Sequence, residues 1–192
     1  MADMGTCVVA VDIGSVGPPP AFSWASFDVP ARKVRLSGSD PQTAVSALVA
    51  GLAWGGRAAL LLQSLRPAHV DRGVWMLRQL ASALPGLSAT TQPGLWQSGG
   101  AQLMLAQAFV RGSGTQARPP AGHDPADAAD AAGLALVELL ADGKPLTSRV
   151  RRSPPGSFNQ LTAMGLWAGL SIDPAELNQG VLVIAAGPQV GQ

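Results

Sequence analysis

Residues Thr6 to Ile13 read TCVVAVDI, an unbroken apolar run that closes on a carboxylate, Asp12. A strand that is apolar on both sides belongs inside a sheet covered on both faces, so the chain must supply helices to cover it. The carboxylate at its end must meet a partner, a cation or solvent, because burying an unpaired charge is costly. Asp12 therefore serves either as a ligand at a site or as a cap for the turn that follows.

The rest of the chain can meet that demand. Its 192 residues suffice for one domain with a buried core and are too few for two of ordinary size. Apolar residues make up 47% and charged residues 13%, which excludes the composition of a disordered chain. A net charge of +1 gives no global field for a polyanion or an anionic membrane, so any such contact must be local. No apolar run approaches a membrane span of about 20 residues. The start lacks the basic opening of a signal peptide. The single cysteine, Cys7, allows neither an internal disulfide nor a zinc knuckle. These features imply a cytoplasmic protein, and its arginine-rich, alanine-rich composition suits a bacterial source. The low charge density also suits self-association or a stable partner.

Ala21 to Asp28 and Arg32 to Leu36 read as two more strands, forming an antiparallel meander with the first. Asp40-Pro41 opens a helix to about Trp54, Arg57 to Leu62 is a fourth strand, and Asp71 to Leu84 is a second helix. Leu87 to Trp96 reads as a strand broken at Pro93-Gly94, and Ala101 to Val110 as a short helix. A further helix opens at Asp124-Pro125 and stops at Gly143. Lys144 to Gly156 is loop, Ser157 to Leu170 a final helix, and Val181 to Ala186 a last apolar segment. The expectation is an α/β domain of ribonuclease H-like order, ββαβαβα, with a mixed five-stranded sheet and helices on both faces. Residues 1–142 form the core and 143–192 a C-terminal extension. The tryptophans and phenylalanines mostly fall on apolar faces and are expected in the core.

Few residues could carry chemistry. Asp124, Asp127 and Asp130 lie in the first two turns of one helix, with Asp127 and Asp130 sharing a face. Acids there suit the helix dipole and a capping box, so alone the cluster favours a structural role. His123 is either a proton shuttle or outer ligand, or a turn residue. Lys144, Arg149, Arg151 and Arg152, with no intervening acid, form either a phosphate-contacting stretch or a solvated loop. The DIGS sequence ending at Ser15 is similar to the phosphate loop of sugar kinases and actin-like ATPases, but those need two such domains.

Six segments taken together, VVAVDIGSVG, AALLLQSLRP, VWMLRQLASALP, LMLAQAFVRG, HDPADAADAAGLAL and SFNQLTAMGLWAGLSIDPAELNQGVLVI, resemble in order an uncharacterised bacterial family of predicted ribonuclease H-like nucleases. The resemblance spans nearly the whole chain. It implies hydrolysis of nucleic-acid phosphodiesters with Mg²⁺ or Mn²⁺, metal ligands at Asp12 and Asp127, and outer-shell help from Asp124, Asp130 or His123. Ser15, Lys144, Arg149, Arg151 and Arg152 would contact the nucleic acid.

In that family the fourth-strand segment reads like GFEAPL and a later one like WEAFVSG, each with a glutamate. The matching positions here are Gln63 and Gln107, and neither segment contains a substitute acid. Two fewer negative charges weaken the binding of a pair of divalent ions. The chain is then a nuclease impaired at two positions, naturally or by an engineered pair of substitutions. The alternative is a catalytically inactive interaction protein that holds a partner protein or nucleic acid through the same fold.

Overall fold

The computed structural model describes residues 5–13, 22–53, 56–63, 69–110, 125–143, 145–146, 151–152 and 156–186. The sequence expectations for Ser15, His123, Asp124, Lys144 and Arg149 lie outside these residues.

Strands β1 (Thr6–Asp12), β2 (Ser23–Asp28) and β3 (Lys33–Gly38) form the expected antiparallel meander. Helix α1 (Pro41–Leu52) follows, with Asp40 accepting hydrogen bonds from the backbone of Gln42 and Thr43. Next come β4 (Arg57–Gln63), α2 (Val70–Ala83), the two-residue β5 (Ala89–Thr90), the short α3 (Pro93–Gln97) and β6 (Leu103–Val110). The chain continues through α4 (Pro125–Ala141), the two-residue β7 (Arg151–Arg152), α5 (Gln160–Ala168), a 3-10 helix at Pro174–Asn178, and β8 (Leu182–Ala186). No helix among the described residues is long and apolar enough to cross a membrane.

The strands make one mixed sheet in the order β3-β2-β1-β4-β6-β8-β7, with β5 pairing β6 outside this path. β1, β4, β6 and β8 run parallel. Side chains alternate between two buried clusters. Val9, Val11, Leu60, Leu62, Leu103 and Leu105 face α1, α2 and α5. Val8, Ala10, Ala59, Leu61, Met104 and Ala106 face α4. An all-apolar strand is compatible with this arrangement because neither of its faces meets water.

Four expectations need correction. Ala101–Val110 is not a helix: β6 lies between β4 and β8, and a short apolar run buried on both faces has no periodicity that separates strand from helix. Leu87–Trp96 is mostly not a strand, because Pro93 begins α3 after only two paired residues. The sheet exceeds five strands, because β7 forms within the expected loop and β8, the last strand expected in the C-terminal extension, joins beside β6, while the expected final helix, α5, packs on α2. Finally, Trp75, Phe158 and Trp167 are exposed while Trp24 and Trp96 are buried.

The C-terminal segment is fastened by a buried polar node. Glu176, fully buried, accepts hydrogen bonds from Thr90 Oγ1 at 2.7 Å and from the Thr91 backbone N–H and hydroxyl at 2.6 Å each. Asn159 caps α5 by accepting from the Thr162 N–H, and its amide donates to Thr91 Oγ1 at 2.9 Å. The node ties the corner between β5 and α3 to the segment leading into β8.

The direction of α4 fixes what lies at each edge of the sheet. Just beyond its end, the Leu146 N–H donates to Gln97 Oε1, and Arg57 at the start of β4 donates to the Trp96 and Gln97 carbonyls. Gly133, midway along, lies against Phe27, which pairs with Val8 early in β1. α4 thus runs opposite to the parallel strands and begins at their carboxyl edge.

Two substitutions test this packing by urea denaturation. A Cβ on Gly133 would stand 2.0 Å from the Phe27 ring, so Gly133→Val is expected to cost about 2 kcal/mol through overpacking. Glu176→Ala would strip the acceptor from three buried donors and is expected to cost about 3–5 kcal/mol.

Candidate functional site

The last residue of β1 is Asp12, and it is only 5% exposed. Its neighbours across the sheet are Ser23 on β2 and Gln63 on β4. By strand alternation all three belong to the face that α4 covers, since Val8 and Ala10, Ala25 and Phe27, and Ala59 and Leu61 pack there. A polar row therefore crosses three strands at the carboxyl edge, directly beyond the apolar cluster. In open α/β sheets the crevice outside the carboxyl ends of the strands is where ligands bind.

The row is unusual in its hydrogen bonding. Ser23 Oγ and Gln63 Oε1 are both buried and neither has a hydrogen-bond partner among the described residues. Buried polar atoms are nearly always paired, and leaving one unpaired costs about 1–3 kcal/mol. Two such oxygens on either side of a buried carboxylate make a set suited to a hard cation or to a ligand that donates hydrogen bonds. Asp12 itself is engaged in an interaction. The backbone continues past it to Ile13, whose carbonyl accepts from Arg72 Nη1 on α2 at 3.3 Å.

The remaining sequence candidates divide clearly. Asp127 and Asp130 fall in the first two turns of α4, at the same edge and over the same face as Asp12. Arg151 and Arg152 form β7, paired with β8 at the far side of the sheet. Gln107 does not join the row. It aligns with Leu62 and belongs to the alternation set of Leu103 and Leu105, which faces α1, α2 and α5. The expected grouping of Asp12, Gln63 and Gln107 fails because one residue of register sends a strand side chain to the opposite face. Ser23 was missed, since a serine opening a strand carries no spacing signal. Among the described residues no three His, Cys, Asp or Glu side chains gather as a metal-binding group.

Away from this edge, Cys7 lies near the start of β1, its thiol directed toward the Ala47 carbonyl on α1. Burial pushes its pKa up, and the Arg35 guanidinium offsets part of that rise. The folded state holds the proton more tightly than the unfolded chain. The resulting stability is full below the unfolded thiol pKa and is lost as pH rises through the folded value. Alkylation by iodoacetamide at pH 8 is expected to be about ten-fold slower in the native protein than in urea.

The unpaired oxygen of Gln63 yields a second expectation. Gln63→Met keeps the shape and removes the orphan, and should raise unfolding stability by about 1 kcal/mol. A neutral or lower value in thermal and urea unfolding would show that the carbonyl has a partner in solution. Comparisons with protein-family models, with curated proteins and with solved structures gave no match to this chain.

Proposed function

We propose that this chain is a ribonuclease H-like nuclease-family protein whose phosphodiester-cleaving site is built on Asp12 and weakened by an amide at position 63. The observation that carries the reading is the row of buried Ser23 and Asp12 and half-buried Gln63 at the carboxyl edge where α4 begins, with two buried oxygens unpaired among the described residues. The meander β3-β2-β1 continued by parallel β4 and β6, with helices on both faces, agrees with the expected mixed sheet.

The described residues suit one divalent ion and not two. Asp12 offers a carboxylate, and Gln63 and Ser23 offer neutral oxygens without a partner among the described residues. Oxygen donors of this kind match Mg²⁺ or Mn²⁺, and a second ion would need charge that these three residues lack. A bound ion would supply Lewis-acid stabilisation of the phosphodiester's developing charge. Asp12 would orient by its fixed place at the strand end. Gln63 would complete the oxygen set without neutralising charge. Asp127 and Asp130 lie in the first two turns of α4, which begins at the same edge.

The test is cleavage of single- and double-stranded DNA, RNA and hybrid with Mg²⁺ or Mn²⁺. The unaltered chain would be compared with Gln63→Glu, Gln63→Glu/Gln107→Glu and Asp12→Asn/Gln63→Glu. Gln63→Glu alone is expected to raise cleavage, Gln107→Glu to add nothing because it faces the other cluster, and Asp12→Asn to abolish the gain. Silence of all four proteins would overturn the proposal and favour a binding role for the same fold.

A further inference from the structure

The sheet's other face carries a second feature at the same edge. Trp75 is 41% exposed on α2, and with Phe22 and Arg72 it lines an open cleft of about 530 Å³. An indole this exposed is a poor use of apolar area unless something covers it. Arg72, Trp75 and Arg78 are spaced i, i+3, i+6, so they are successive neighbours along the solvent face of α2, all three exposed. Arg78 Nη2 then donates to the Trp167 carbonyl on α5 at 3.2 Å, and the Trp167 side chain is 59% exposed. The exposed groups Arg72, Trp75 and Arg78 thus follow one another along α2, with the partly buried Phe22 beside them in the cleft and the exposed Trp167 on the residue whose carbonyl Arg78 holds. Asp71 lies beside this row in the cleft lining.

We infer that this row is a binding track for single-stranded nucleic acid, with bases stacking on Trp75 and Trp167 and phosphates meeting Arg72 and Arg78. The complementary ligand must alternate planar π-faces with anions. A single strand does so, whereas a paired helix hides its base faces and a phospholipid presents aliphatic chains. Stacking on exposed aromatics with arginine at the backbone is the general mode of sequence-tolerant single-strand recognition. The row begins where Arg72 donates to the carbonyl of Ile13, one residue past Asp12, so a strand laid along it reaches the edge that holds the polar row. The ligand class accords with the proposed nuclease reading, but the geometry uses none of the residues assigned to cleavage.

The test is fluorescence anisotropy of labelled 15-mers of dT and U, titrated with the full chain in EDTA and low salt. No metal is present, so the outcome is independent of cleavage. Both oligomers are expected to bind, and Trp75→Ala to weaken binding about ten-fold or more while Trp75→Phe retains most of it. Two phosphate contacts predict a log–log salt slope of about −1.4 on single strands. Circular dichroism of each variant checks the fold, and Trp167→Ala provides a second exposed position. A preference for dT or U would show whether the 2′-hydroxyl matters. The inference is overturned by absence of binding up to about 100 µM protein, the weak end of non-specific affinity. It is equally overturned by affinity unchanged in both tryptophan-to-alanine variants, or by binding to anionic phosphatidylserine vesicles in place of either oligomer. Binding without cleavage by the Gln63→Glu protein would leave this track standing and remove the nuclease reading.

Discussion

Burial of β1, β4 and β6 on both faces is the constraint from which the rest of the structure follows. Val8 to Val11, Ala58 to Leu62 and Leu103 to Ala106 are inaccessible to solvent, so helices must cover both sides of the sheet. α1, α2 and α5 do so on one side and α4 on the other. Within those strands polar side chains are few, and a charged one has no place except at an end, where a partner, a ligand or water can reach it. Asp12 and Gln63 sit at such ends, and so does Ser23 at the start of the antiparallel β2.

The two groups of buried polar residues differ in how their carboxylate neighbourhoods are bonded. Around Glu176 both carboxylate oxygens accept hydrogen bonds, and the supporting threonines and asparagine are bonded in turn. Such a node is rigid, and it makes residues 157–179 part of the domain. Around Asp12, the Ser23 and Gln63 oxygens have no partner among the described residues, and near the Glu176 node only Thr162 Oγ1 shares that condition. A satisfied network contributes to stability, whereas an unsatisfied one sacrifices stability and is characteristic of places that bind something else. The two faces of the carboxyl edge also differ in kind: one carries the small polar row under α4, the other the exposed arginines and aromatics of α2.

Much of the fold was legible in the sequence, for identifiable reasons. The meander, α1, β4 and α2 were readable because their caps, breaks and periodicities are local: Asp40-Pro41 starts one helix, and Pro85-Gly86 follows another. Ala101–Val110 was misread because an apolar segment gives the same signal in a buried strand as in a buried helix. The site was half legible. Asp12 stood out as a charge ending an apolar run, and Gln63 lies directly beside it in register. Gln107 seemed equivalent by motif, yet its position in β6 puts it on the opposite face. Ser23 and the exposure of Trp75 and Trp167 had no sequence signal, because hydroxyls and indoles occur in cores and on surfaces alike.

The sequence by itself determined that this chain buries a central strand, alternates helices with strands and brings a carboxylate to a strand end. These are consequences of local hydrophobicity, capping and turn chemistry, which act over a few residues. Tertiary structure alone decided which residues stand beside that carboxylate, where residues 157–186 belong, and which aromatics remain in solvent. Strand order and register join residues far apart in sequence, and a shift of one residue exchanges the two faces of a strand.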